Sequence, residues 1–198
     1  MNPGSARLTY APLAAPAWRD SAGNARLLPM MILAIAGTIL LTVSAKVQVP
    51  FWPVPMTMQT FVAILIGVAY GWRLGAATVA LYLLEGMFGL PIFAGTPERG
   101  IGLAYMTGPT GGYLIGFLLA AYVAGWLTER GWAESPLKLI LLFLVGHVVI
   151  FVPGLAWLAT LIGAEKTVAS GLLPFLPGTI VKSLLGAGVV FGLRRTAS

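Results

Sequence analysis

The sequence contains no cysteine among its 198 residues, which excludes disulfide bonds, thiol nucleophiles and cysteine-ligated metal sites. Charged side chains are scarce, at 9% of the chain, against about 25% in ordinary soluble domains. Because 58% of the residues are hydrophobic, a water-soluble globular domain is excluded. The net charge of +6 comes from scattered basic residues, not from a clustered basic patch, so we expect no nucleic-acid partner.

Several catalytic motifs are missing as well. There is no G-x-x-x-x-G-K-[ST] loop, so we expect that the chain does not hydrolyse ATP itself. Neither H-E-x-x-H nor G-x-S-x-G occurs, and a single histidine cannot form a pair of histidine ligands. We therefore expect that the protein is not an enzyme and that it has no catalytic residues, no metal and no cofactor.

Long apolar runs dominate the chain and predict an all-α integral membrane protein, because about 20 apolar residues cross a bilayer as a helix. The stretch Gly71-Trp-Arg-Leu-Gly75 is typical of a turn, and Pro153 predicts a kink. We expect a polar cytoplasmic tail at residues 1–27 and one membrane domain at residues 28–195. The six predicted transmembrane helices are residues 28–46, 57–71, 73–89, 111–128, 137–161 and 172–193.

Six spans place both chain termini on one side of the bilayer. The basic residues are concentrated on that side, so the positive-inside rule predicts cytoplasmic N- and C-termini. The outer side carries Lys46, Arg99 and Lys166. The inner side carries Arg7, Arg19, Arg26, Arg73, Arg130, Lys138, Arg194 and Arg195.

Two non-helical stretches are then predicted to lie outside. Residues 47–56 contain three prolines, which favour an extended backbone, and residues 89–112 are rich in glycine and proline. They are either apolar caps over an outward-facing site or tight turns at the membrane interface. Residues 151–154 and 175–178 share the pattern Phe-x-Pro-Gly, which is too short to indicate an internal repeat.

Lys182 lies within the last apolar run, where a central lysine costs roughly 2.5–3.5 kcal/mol on insertion scales. It should therefore face a cavity, a partner or an anionic ligand. Thr179 shares its helix face, and Pro177-Gly178 predicts a helix start just before it. A lysine and the N-terminus of a helix together form a suitable binding site for the carboxylate of a ligand. The alternative is an ion pair with Glu85 that links two helices.

Three further polar residues lie in predicted helices. Glu85 is a candidate for a ligand contact, for the Lys182 pair or for a solvated position at the interface. His147 is predicted to be a hydrogen-bonded packing residue rather than a proton relay. Gln59 is either an amide partner for a polar ligand or a helix cap.

Small residues mark two helix faces where neighbours can approach closely. Helix 4 has Gly112, Gly116, Ala120 and Ala124, and helix 1 has Ala34, Thr38 and Thr42. We predict internal packing for both stripes. Docking of another membrane subunit is the alternative for helix 1, with Ala34 and Thr38 as candidate contacts.

Four segments, spread in order over about residues 28 to 193, resemble the BioY family, the biotin-specific substrate-binding (S) components of energy-coupling-factor (ECF) transporters. The segments are Val49-Pro-Phe-Trp-Pro-Val-Pro-Met-Thr-Met-Gln-Thr60, Gly89-Leu-Pro-Ile-Phe-Ala-Gly95, Gly108-Pro-Thr-Gly-Gly-Tyr-Leu-Ile-Gly-Phe117 and Pro174-Phe-Leu-Pro-Gly-Thr-Ile-Val-Lys182. The resemblance implies the ECF S-component fold and capture of biotin from outside beneath the two loops.

The resemblance also implies partners and a location. An S component works in a prokaryotic plasma membrane with a transmembrane T component, docked on helix 1, and with ABC-type ATPases that alone use ATP. Some family members work without dedicated partners. The alternative function is a stand-alone secondary transporter of a small organic anion, with proton coupling through His147 and Glu85. A third possibility is a structural subunit in which the Lys182–Glu85 pair links helices.

The resemblance assigns Lys182 as the functional lysine that meets a polar group of biotin. The family pattern has an aspartate where this chain has Thr179, so an ionised acceptor for the ureido N–H groups is missing. Gln59 or Glu85 is expected to supply an acceptor instead. Tyr113 is a candidate for contact with the bicyclic ring of biotin, and Phe93, Phe51 and Trp52 are candidates for lid contacts.

Overall fold

A computed structural model describes residues 13–14 and 26–196 of the chain, so most of the predicted tail at residues 1–27 lies outside the described residues. Within these described residues, five apolar helices are long enough to cross a membrane. The helices are α1 (Leu27–Lys46), α2 (Gln59–Met87), α3 (Gly102–Met106), α4 (Gly111–Thr128), α5 (Pro136–Ile162), α6 (Ala164–Thr167) and α7 (Leu176–Thr196). Short 3-10 turns lie at Trp132–Glu134 and Leu173–Phe175, and a π-helical turn lies at Val168–Leu172.

The long helix α2 folds back on itself at Gly71, whose φ of 79° and ψ of 173° are not helical. Gln59 Nε2 donates to Tyr82 Oη at 2.7 Å, whereas a straight helix would separate these residues by about 35 Å. Residues 59–70 (arm α2a) and 72–87 (arm α2b) therefore run antiparallel. The prediction of six helical segments is confirmed. The turn predicted at residues 71–75 consists of one residue with a non-helical backbone, Gly71.

The connection between α1 and α2 is a small β-ribbon. Strands β1 (Gln48–Val49) and β2 (Met56–Thr57) pair antiparallel, with Gln48 opposite Thr57. The proline-rich residues 50–55 form the loop between the strands, because prolines cannot donate to a ladder and are favoured in turns. The extended segment that we predicted is thus closed into a ribbon over one end of the helices.

The connections divide between two ends of the helical bundle. The loop end contains the β-ribbon and residues 88–110, which Lys46 joins by donating to the carbonyl of Phe93 at 3.0 Å. The basic end contains the Gly71 turn and the α4–α5 connection, where Glu129 accepts from Trp72 N–H at 3.3 Å. Arg194 pairs with Glu134 at 2.9 Å at the same end. Since α1 reaches the loop end at Lys46, it begins at the basic end, where α7 terminates.

Small residues allow α4 to pack closely between α2 and α5. A Cβ atom on Gly116 would lie 2.7 Å from the Ile150 backbone, and one on Gly112 would lie 2.3 Å from the Pro153 carbonyl oxygen. Ala120 and Ala124 are fully buried. The prediction of internal packing for this stripe is confirmed. Pro153 lies inside α5, which continues from Pro136 to Ile162.

On α1 the small face turns toward α2b. Thr38 is only 3% exposed, and a Cβ atom on Gly37 would lie 2.5 Å from Thr78 Cγ2. Ala34 is half-buried, while the outer surface of α1 consists of Met31, Ile32, Ile35, Ile39, Leu40 and Val43. Thr38, one of the two candidate docking residues, therefore packs inside the protein instead of facing a partner.

We expect Gly116→Ala to lower the thermal unfolding midpoint in detergent, because the added Cβ meets backbone that cannot move aside. Overpacking of this kind costs typically about 1–3 kcal/mol. The matched control is Gly188→Ala in α7, since a Cβ there meets nothing within 4 Å. The control should leave the midpoint unchanged or raise it through better helix propensity. Equal midpoints for the two variants would contradict the close α4–α5 packing.

Candidate functional site

A cavity lies beneath the β-ribbon at the loop end of the bundle. Its volume is about 450 Å³. Its lining is mostly apolar, with a few polar groups pointing inward, as in small-molecule sites. The lining residues are Val54, Pro55, Thr57, Gln59, Thr60, Ala94, Thr110, Tyr113, Phe117, His147, Phe151, Phe175, Thr179 and Lys182.

Lys182 lies in the second turn of α7 and is 8% exposed. Its ammonium group donates to the Thr57 carbonyl and, at 3.2 Å, to Thr60 Oγ1. These bonds join α7 to the junction between β2 and α2a. Lys182 makes no ion pair with any described residue, so the predicted alternative of a Lys182–Glu85 link is not formed.

Gln59 lines the cavity, but its side chain is largely engaged within the protein. Its Nε2 donates to Tyr82 Oη, and the Tyr82 hydroxyl donates to the Ile92 carbonyl at 3.0 Å. Its Oε1 accepts from Thr57 Oγ1 at 3.3 Å. This chain of hydrogen bonds ties arm α2a to arm α2b and to the loop that follows. Gln59 therefore acts first as a structural residue, not as a free amide.

Aromatic rings form one wall of the cavity. The ring centroids of Tyr113 and Phe151 lie 6.4 Å apart, those of Phe151 and Phe175 lie 6.2 Å apart, and Phe51 continues the row at 6.2 Å from Phe175. The Tyr113 hydroxyl donates to the Gly171 carbonyl at 3.0 Å, which leaves its ring as the surface toward the cavity. Such a wall suits a flat or bicyclic apolar ligand.

The loops above the cavity are tied to each other by two cations. Lys46 donates to the carbonyls of Pro91 and Phe93 and to Thr96 Oγ1, at 3.0–3.2 Å. The Arg99 guanidinium donates to the carbonyls of Phe51 and Pro53 at 3.4 and 3.5 Å. Lys46 thus holds residues 91–96 through the shorter hydrogen bonds, whereas Arg99 reaches the ribbon's loop at residues 50–55 through two long ones.

The structure brings together some of the predicted site residues but not others. Lys182, Thr179, Tyr113 and Gln59 line the cavity. Phe93 is fully buried outside it, where its ring packs edge-on against Tyr82 at 5.4 Å.

Glu85 also lies outside the cavity, half-buried beside Thr38 of α1, where it reaches neither Lys182 nor His147. Trp52 is 80% exposed and does not cover the cavity. Of the three predicted aromatic lid residues, Phe51 is the one whose ring continues the cavity wall.

Sequence reasoning missed several residues of the cavity wall. Phe151 and Phe175 are the first residues of the two segments that share the pattern Phe-x-Pro-Gly, and both residues line the cavity. The shared pattern therefore contains two residues of the cavity wall, although it does not indicate an internal repeat. His147, which we predicted to be a packing residue, also faces the cavity. Among the described residues, no group of three His, Asp or Glu side chains is placed to hold a metal ion.

Comparisons with known proteins point to one family. The model of the BioY family matches residues 19–198. A protein of Pyrococcus horikoshii described as a probable biotin transporter BioY is 39% identical over 144 residues, covering 73% of this chain and 83% of that protein. The biotin transporter BioY of Thermotoga maritima is 34% identical over 159 residues, covering 80% of this chain and 91% of that protein.

A solved structure shares the fold. The crystal structure of an S-component for biotin from an ECF-type ABC transporter superposes with a TM-score of 0.76. The match covers 88% of this chain and 95% of that chain at 24% sequence identity. The predicted ECF S-component fold is therefore confirmed.

We expect Tyr82→Phe to lower the thermal unfolding midpoint, because it leaves the Gln59 amide and the Ile92 carbonyl without their buried partner. Loss of such a partner costs typically about 1–3 kcal/mol. Tyr122→Phe is the control, since this tyrosine is exposed at the other side of the bundle. A midpoint for Tyr82→Phe equal to that of the control would show that the hydrogen-bond chain does not stabilise the α2 hairpin.

Proposed function

The chain belongs to the BioY family, and from that premise we propose that it binds biotin at the outer face of a prokaryotic plasma membrane for uptake. It is a multi-pass membrane protein and not an enzyme. The observation that carries the proposal is the cavity at the loop end, where a buried lysine faces an aromatic wall beneath two loops. This combination matches a ligand with an apolar ring system and a few strongly polar atoms.

Biotin makes three demands on a binding site. It carries a carboxylate on a flexible chain, a ureido group with two N–H donors and one carbonyl, and an apolar sulfur-containing ring. The row of Tyr113, Phe151 and Phe175 supplies a surface for the rings. Lys182 supplies a cation with one N–H not used by the protein, since an ammonium group has three donors and two are engaged.

Thr179 supplies a second polar contact. It lies one helical turn before Lys182 and lines the same cavity, and its hydroxyl has no hydrogen bond to any described residue. A hydroxyl can donate or accept, so it suits either the carbonyl or an N–H of the ligand. Gln59 and Tyr113 contribute shape and position, whereas the buried Phe93 supports the loop from behind.

Entry of biotin requires a path past the loops that lie over the cavity. We infer that the ribbon's loop at residues 50–55 moves, while β2, to which Lys182 bonds, and residues 91–96 stay in place. The long Arg99 hydrogen bonds attach residues 50–55 to the other loop, while Lys46 holds residues 91–96 with shorter ones.

The charge of the basic end bears on the orientation of the protein, and the exposed face of α1 bears on its partners. The basic end carries Arg26, Arg73, Arg130, Lys138, Arg194 and Arg195, which favours the cytoplasm for that end and for both termini. We propose that the exposed apolar face of α1, with half-buried Ala34 at its margin, contacts a T component. ABC-type ATPases of the same transporter would then supply ATP hydrolysis.

The alternative of a proton-coupled secondary transporter finds less support in the site. It needs a carboxylate beside His147 to relay protons, and Glu85 lies against α1 instead. The alternative of a structural subunit held by a Lys182–Glu85 pair has no support in the structure, since that pair is not formed.

We expect the detergent-purified protein to bind biotin at 1:1 stoichiometry in calorimetry, and Lys182→Met to weaken binding at least about tenfold. Loss of a hydrogen bond to a charged group is worth about 1.5–3 kcal/mol. Methionine keeps most of the apolar stem, so the folded yield should be retained. Lys138→Met, an exposed lysine at the basic end, is the control and should bind as the parent does. Absence of any binding at micromolar biotin by the parent protein would overturn the proposed function.

We also expect biotin uptake into cells that contain the partner subunits to depend on ATP and not on the proton gradient. The reason is that the site holds no acid beside His147 for proton coupling. Radiolabelled biotin uptake is measured with a proton ionophore while ATP is held constant. Uptake that disappears under the ionophore would favour the stand-alone secondary transporter instead.

A further inference from the structure

His147 is a buried polar residue, and one of its two ring nitrogens has no partner among the described residues. It lies near the middle of α5, is 1% exposed, and lines the cavity together with Lys182. Its Nε2 atom is buried without a hydrogen bond to any described residue. Because nearly all buried polar atoms in proteins are paired, such an atom in a cavity wall points to a ligand or a bound water.

The other ring nitrogen determines what Nε2 can do. Nδ1 lies 2.8 Å from the carbonyl oxygen of Phe143, and a carbonyl only accepts, so Nδ1 carries the hydrogen. The Ser183 hydroxyl lies 3.4 Å from the same Nδ1. Among the described residues no carboxylate pairs with the imidazole, and no acceptor lies at Nε2 to bind a second ring proton. A neutral imidazole with hydrogen on Nδ1 presents a lone pair at Nε2.

His147 and Lys182 therefore form a complementary pair in one cavity. Ser183, the residue after Lys182, contacts the imidazole directly, so the two side chains lie on adjoining faces of α5 and α7. Lys182 offers one unused N–H, and His147 offers one unused lone pair. Three other polar groups on the wall are engaged, since Thr60 accepts from Lys182 and since Thr57 and Gln59 bond each other, whereas the Thr179 hydroxyl has no hydrogen bond to any described residue.

We propose that His147 Nε2 accepts a hydrogen bond from a ureido N–H of biotin while Lys182 donates to the ureido carbonyl oxygen. A cyclic urea carries an N–H donor directly beside a carbonyl acceptor. This arrangement matches the acceptor of His147 and the donor of Lys182. The inference rests on the proposed function, because it assigns atoms within the same site. It makes His147 a specificity-determining residue, and it replaces Gln59 and Glu85 as the predicted acceptor.

The pair also selects among ligands. Dethiobiotin has lost the sulfur but keeps the cyclic urea, so it retains both hydrogen bonds. Lipoate has a carboxylate and a sulfur ring but no N–H, so it would leave His147 Nε2 buried without a partner. A site built around such a donor contact rejects analogues that lack the donor.

The experiment compares three substitutions at His147 by calorimetry with the purified full chain. His147→Gln extends an acceptor oxygen toward the Nε2 position, whereas His147→Asn reaches only the Nδ1 position and keeps a donor for the Phe143 carbonyl. His147→Leu removes both functions. We expect Gln to bind biotin within about threefold of the parent, and Asn and Leu to bind about tenfold to a hundredfold more weakly.

A ligand-side measurement separates a direct contact from a packing effect. Biotin methylated on one ureido nitrogen, tested as each of the two isomers, should lose at least about tenfold in the parent for one isomer. In His147→Leu the same methyl group should cost much less, because the hydrogen bond is already absent. A role in packing alone would leave the methylation penalty unchanged by the substitution.

The outcomes distinguish the inference from the proposed function. A parent protein that does not bind biotin overturns both. If the parent binds biotin and both His147→Leu and His147→Asn bind it as tightly as the parent does, the proposed His147 contact is overturned. The proposed biotin site is then unaffected. Equal losses for Gln, Asn and Leu, with an unchanged methylation penalty, would assign His147 to packing and overturn the inference.

Discussion

The buried ammonium group of Lys182 connects the last helix of the chain to the junction between the β-ribbon and α2a. A cation in an apolar bundle is tolerated only when its hydrogen-bond donors are satisfied, and the Thr57 carbonyl and Thr60 hydroxyl satisfy two of them. The same contacts hold β2 beside the cavity and leave the third N–H of the ammonium group without a partner among the described residues. The hydrogen bonds that offset the cost of burying this charge are therefore the same ones that position β2 beside the cavity.

Close backbone packing places the helices so that this contact can form. Glycines at positions 67, 112, 116 and 125 bring backbone atoms so near that a Cβ would overlap with a neighbouring helix. In a bilayer the hydrophobic effect does not drive helices together, and such close contacts supply van der Waals attraction instead. The fold-back at Gly71 depends on the same property, since its positive φ disfavours any side chain. Closely packed helices thus carry the cavity, and the ribbon lies over it.

The site could be predicted in part, and the errors have physical causes. Lys182, Thr179, Tyr113 and Gln59 were found because polar residues are costly in apolar helices and because they lie in family motifs. Glu85 is a polar residue in an apolar helix and Phe93 belongs to a family motif, but both lie outside the cavity, because the rotation of α2b and the path of the loop after it decide this and composition does not. His147 was predicted to be a hydrogen-bonded packing residue, and its bond to the Phe143 carbonyl agrees with this. That it also lines the cavity depends on the packing of α5 against α7, which lies far away in sequence.

The sequence alone determined that the protein is a six-segment helical membrane protein, because apolar run length and the scarcity of charge leave no other stable arrangement in a bilayer. It also determined the family. The tertiary structure decided which polar groups satisfy one another: Gln59 pairs with Tyr82 across a hairpin, Glu85 turns to α1, and His147 keeps a free nitrogen in the cavity. These pairings depend on distances between residues far apart in the chain, which no local pattern encodes.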